Sequence, residues 1–111
     1  MVAVAQYIPK DPDEKASVLA VLREHPELQD FIARASEKAK DIFADVRITL
    51  DTVQYDDWDP PVRMLIHVTQ PWSEFKPIRS DYVRWLTRDP AFNLDVILVM
   101  PMWSGPIESY R

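Results

Sequence analysis

The chain has 111 residues, 47% of them hydrophobic and 28% charged, a balance that suits one folded core and leaves too little chain for a second. It has no cysteine and a single glycine, Gly105, which excludes disulfides, thiolate chemistry, cysteine metal sites and glycine-rich phosphate loops in their usual form. The net charge of −5 is concentrated between residues 41 and 60, where Asp41, Asp45, Asp51, Asp56, Asp57 and Asp59 oppose only Arg47, so the overall field has the wrong sign for bulk nucleic-acid binding.

Residues 1–10 show some apolar alternation without a visible partner and read as a loose arm or a short edge strand. They lack the basic start and long apolar core of a signal peptide, and no apolar run approaches membrane-spanning length, so a cytoplasmic location is expected. Asp11, Pro12 and Glu14 form a helix start: a capping acid, a proline at the first helical position and a carboxylate three residues after the cap. Val18, Leu19, Val21 and Leu22 supply that helix's apolar stripe, and His25 before Pro26 ends it. A second helix follows over 26–43, with Leu28, Phe31, Ile32, Ala35, Ala39, Ile42 and Phe43 at three- and four-residue steps.

Residues 46–50 and 62–68 alternate apolar and polar side chains, the mark of half-buried strands, with Val62, Met64, Ile66 and Val68 on one face of the second. Between them, acidic residues and the Pro60-Pro61 pair interrupt pairing, which predicts an antiparallel hairpin with a broad loop. A third helix with Ile78, Tyr82, Trp85 and Leu86 toward the core begins at Ser73 or nearer Pro77 and stops at Asp89-Pro90. The run 94–100 is apolar on both faces, as in a strand interior to a sheet or covered on its second side, and Pro101 closes it. The expected fold is a single α+β domain over 1–111 in the order ααββαβ, with helices on one face of a small, mostly antiparallel sheet and a tail at 101–111. Strand order 3-1-2 is favoured, and the crossover into the third strand should be right-handed.

Chemistry is sparse. His25 and His67 stand alone, and His67 reads as a strand residue because a ligand site needs two or three convergent partners. Asp56, Asp57 and Asp59 offer oxygen ligands for a divalent cation, yet no glycine permits the tight wrap of a calcium loop and no distal glutamate follows. No nucleophile lies on a glycine-flanked elbow, so neither an enzyme nor a cofactor is expected. Lys76, Arg79, Arg84 and Arg88 make the third helix the one basic surface, the alternative reading being an RNA- or DNA-binding strip.

Apolar surplus is the remaining feature. Leu65 interrupts the polar face of the second strand, Trp58 sits in the loop, Trp72 in a junction, and Met102, Trp103 and Ile107 in the tail. Such leftovers characterise interface centres. The leading expectation is therefore a protein-interaction module, a homodimer or one docking on another protein, with Leu65, His67, Met102, Trp103 and Ile107 in contact and no membrane involved. The other possibility is that the tail covers the open sheet face within one chain.

The helix over 26–43, the strand Asp45-Val46-Arg47-Ile48-Thr49-Leu50, the strand Met64-Leu65-Ile66-His67-Val68, and Trp85-Leu86 before Leu94-Asp95-Val96-Ile97-Leu98 together resemble a set of small uncharacterised bacterial α+β proteins encoded in toxin–antitoxin-like gene pairs. That resemblance implies a small partner-binding protein. The third helix of that set is acidic with paired tryptophans, whereas here it is basic with one, and no site residues come with the likeness.

Overall fold

The computed structural model describes residues 2–104. Its elements are α1 (Val2–Ala5), α2 (Pro12–Glu24), α3 (Glu27–Ile42), β1 (Val46–Asp51), β2 (Val62–Val68), α4 (Trp72–Arg88) and β3 (Ile97–Trp103). The order ααββαβ is the expected one, preceded by the short α1, and the architecture is a small mixed sheet with helices against one face.

Local chemistry sets the helix ends. The Asp11 carboxylate accepts from the Glu14 N–H at 3.1 Å with Pro12 in the first turn, satisfying a donor that the helix itself leaves unpaired. In α3, Leu28, Phe31, Ile32, Ala35 and Ala39 are buried, forming the stripe that rests on the sheet. Helix α4 starts at Trp72, before either start the sequence offered, and Pro77 lies inside it. Packing explains this: Phe75 is buried and stacks on Phe43 at 5.8 Å, while Trp72 meets Phe75 at 5.7 Å. Burying an aromatic side chain is worth about 2 kcal/mol, comparable to the loss caused by an interior proline.

Three expectations are corrected. Residues 2–10 are not a loose arm: Val4 and Tyr7 are buried in the core, and the Tyr7 carbonyl accepts from the Leu50 N–H at 3.1 Å. The strand order is β1-β2-β3, not 3-1-2, with β1 and β2 antiparallel and β2 and β3 parallel. The two corrections are linked, since the N-terminal segment bonds the outer edge of β1 at Leu50, while β3 pairs on the far edge of β2.

The last strand is also shifted, covering Ile97–Trp103 and containing Pro101 rather than ending before it, so the first residues of the predicted tail belong to the sheet. Ser104 N–H donates to the Val68 carbonyl at 2.7 Å. Counting back by twos along a parallel ladder, Met102, Met100 and Leu98 turn their N–H toward β2, and Pro101 turns its missing donor to the open edge, where nothing is lost.

Candidate interaction face

Residues in register across a sheet share a face, so the pairing defines two surfaces. Toward the helices lie Ile48 and Leu50 of β1, Val62, Met64, Ile66 and Val68 of β2, and Ile97, Val99, Pro101 and Trp103 of β3. All four β2 residues of this set are buried in the single core cluster. The opposite face carries three rows: Arg47, His67 and Met102; Thr49, Leu65 and Met100; Asp51, Arg63 and Leu98. None of these nine is fully buried, and among the described residues no helix lies over them.

This outer face is graded. On the β1 side it is polar; on the β3 side Leu98, Met100 and Met102 run as an apolar column with Leu65 beside it. Arg63 forks onto Asp51, with Nε to Oδ1 at 2.7 Å and Nη2 to Oδ2 at 2.8 Å. Burial pushes the Asp51 carboxyl up, but the Arg63 hydrogen bond, the Val53 N–H and the Arg63 charge outweigh it and leave it below the ordinary carboxylate value. The Asp51 hydrogen bond likewise raises the Arg63 guanidinium. Burial lowers the pKa of His67, and the charge of Arg47 beside it acts the same way, so both favour the neutral imidazole. Its Nε2 lies 3.4 Å from Thr49 Oγ1.

The loop 52–61 overhangs the Asp51–Arg63–Leu98 row. Its acids serve its own backbone: Asp59 Oδ2 accepts from Tyr55 N–H at 2.7 Å and Asp56 Oδ1 from Trp58 N–H at 2.8 Å. These bonds hold out Tyr55 and Trp58, which are 84% and 91% exposed. Where the loop meets the sheet, Tyr55, Asp59, Pro60, Arg63, Leu98 and Met100 enclose a cleft of about 220 Å³. Arg63 Cζ stands 5.9 Å from the Tyr55 ring centroid across it. The cleft is smaller than the sites that hold drug-sized ligands and suits a single side chain.

The residues singled out from the sequence fall in different places. Leu65, His67 and Met102 do lie together on the outer face. Trp103 does not: it points to the helix side, half-buried, at 5.4 Å from Trp72. Ile107 lies outside the described residues. Asp56, Asp57 and Asp59 do not converge, because two of them are turned onto backbone N–H groups, and no group of three metal-ligating side chains occurs among the described residues. Lys76, Arg79, Arg84 and Arg88 are all exposed. At 100° per residue they spread over roughly half the circumference of α4 rather than forming a stripe, and Arg84 is engaged by Asp81 at 3.2 Å.

The last strand, expected to be interior to the sheet or covered on its second side, lies at the sheet edge, with Leu98 and Met100 on the outer face. The available signal was the chain's inability to cover two faces of a sheet with so few helices. No helix of the described residues is long and apolar enough to cross a membrane. Compared with protein-family models, curated proteins and solved structures, the chain matches none.

Proposed function

We propose that this chain is a protein-interaction module whose contact surface is the outer face of its sheet. The observation that carries this reading is that β3, an edge strand, is apolar on both sides, with Leu98, Met100 and Met102 aligned beside Leu65 on the face opposite the helices. Continuous apolar runs belong to strands covered on both faces, and here the described residues supply a cover on one only. The polar margin of Arg47, Thr49 and the Asp51–Arg63 pair gives the apolar column the rim that interface centres have. A protein partner fits this chemistry better than nucleic acid, given the net charge of −5 and the dispersed cations of α4. A cytosolic setting agrees with the absence of cysteine.

Leu65→Asp tests the reading. At protein concentrations low enough to keep the chain monomeric, thermal and urea denaturation should show a loss of about 1 kcal/mol or less, the range of a solvent-facing strand substitution. A variant that fails to fold there means the face is covered within one chain, and the interaction reading falls.

A further inference from the structure

We infer that the partner of the outer face is a second copy of this chain, packed face to face about a two-fold axis that lies across the strands through Leu65 and Met100. This rests on the outer face being the contact surface, and it adds the occupant and its orientation.

Edge addition is disfavoured on both sides. Pro101 breaks the row of donors on the open edge of β3, and the N-terminal segment bonds Leu50 on the edge of β1. Association through the sheet then favours the face. A two-fold axis relating two such faces lies in the plane between them, and the side chains choose its direction. An axis along the central strand β2 would bring the polar β1 column over the apolar β3 column, setting Asp51 against Leu98 and Arg47 against Met102. An axis across the strands stacks the β3 columns on each other and places Leu65 against Leu65.

That second arrangement also exchanges the ends of the face. Arg47, exposed and without an ion pair among the described residues, then meets the partner's acidic loop, where Asp57 is equally exposed. Placing the two copies with like ends together would instead oppose one acidic loop to the other. The same exchange carries Met102 of one copy to the Leu98 row of the other, over the cleft under Tyr55. A flexible methionine suits a cleft of about 220 Å³.

Area sets the strength. Three strands about 4.8 Å apart and about six residues long at 3.3 Å each present roughly 300 Å². Tyr55 and Trp58 add roughly 150–250 Å² apiece. Each copy thus approaches the lower end of stable interfaces, roughly 600–800 Å² per side, and a micromolar dimer is expected.

Size-exclusion chromatography with light scattering over a micromolar dilution series is the experiment. The wild type should pass from dimer to monomer on dilution, and Leu65→Asp should be monomeric throughout. Arg47→Asp alone and Asp57→Arg alone should each raise the dissociation constant about tenfold, because the contact occurs twice by symmetry. An equimolar mixture of those two variants should regain the wild-type value, since each contact again joins an acid to a base. Their unfolding midpoints, measured alongside, should match the wild type because both positions are exposed. A wild type that is monomeric at hundreds of micromolar overturns the inference. So does a dimer insensitive to Leu65→Asp, or a mixture that regains nothing. In the first case, a normally folding Leu65→Asp leaves the outer face available to a different protein, whereas an unfolded one removes the interaction reading as well.

Discussion

Trp103 Nε1 donates a 2.9 Å hydrogen bond to the carbonyl of Gln70, fastening the end of β3 to the turn that follows β2. Gln70 is itself buried, and its Oε1 accepts from the Ala44 N–H at 3.0 Å, so one residue ties the end of α3, the end of β2 and the end of β3. Trp103 is therefore a structural residue facing the helices. Trp103→Ala should cost about 2–3 kcal/mol in urea denaturation, somewhat less than a fully buried tryptophan, and leave the Gln70 carbonyl without this donor. An unchanged unfolding midpoint would show that Trp103 does not anchor the strand.

Tyr82 of α4 is buried against α3, beside Phe43, and its hydroxyl donates to the Ala35 carbonyl at 2.7 Å. Tyr82→Phe should lose about 1 kcal/mol, the net value of a typical hydrogen bond, with the ring packing retained. Burial pushes the phenol above its ordinary value of 10.0. The unfolded chain then releases this proton first, so stability falls as pH rises past about 10.0. Alkaline denaturation of the wild type and Tyr82→Phe should converge in that range; parallel curves would show that Tyr82 ionises normally.

The periodic parts of the chain are legible in the sequence. Asp11 and Pro12 marked a helix start, Leu28 to Ala39 marked a helix face, and the alternation around Ile48 and Met64 marked two strands, because each signal is local. What failed depended on distant contacts. The Val4 and Tyr7 pair is too short to register as a pattern, yet Tyr7 bonds the outer edge of β1 at Leu50, while β3 pairs on the far edge of β2. Phe75 and Trp72 draw α4 past Pro77 by packing on Phe43 and Trp103, which no local rule anticipates. On the outer face, Leu65 and His67 follow from alternation alone, whereas Met102 stands out in the sequence only as an apolar residue of the tail. Leu98 and Met100 do not follow from it, since an apolar run cannot by itself reveal which of its two faces is covered.

The Asp51–Arg63 fork spans the hairpin directly, with both side chains partly exposed. Asp51→Asn should cost about 1 kcal/mol, the scale of a cross-strand charged pair with some burial. Because the folded Asp51 carboxyl lies below its unfolded value of 3.8, its contribution is present above that pH and is lost as pH falls through the folded value. Acid unfolding followed by circular dichroism should accordingly start at a higher pH in Asp51→Asn, where the fork is already weakened; an identical acid midpoint in the two proteins would show that the pair adds nothing.

His67, a base, also weakens the fold in acid, but from a higher pH. Its neighbours on the outer face are Arg47, in register on β1, Thr49 on the diagonal and Met102 on β3; the nearest acid in these rows, Asp51, is already held by Arg63. Protonating His67 thus adds a second positive charge beside Arg47, and burial together with that charge holds its folded pKa below the ordinary 6.5. The unfolded chain takes up the proton first, so stability is whole above about pH 6.5 and declines as pH falls toward the folded value. His67→Gln keeps a polar side chain within reach of Thr49 and removes the titration. Unfolding midpoints measured between neutral pH and pH 5 should decline in the wild type and stay flatter in His67→Gln. Should both proteins decline alike, the loss comes from another group, and the Arg47–His67 pair is not its source.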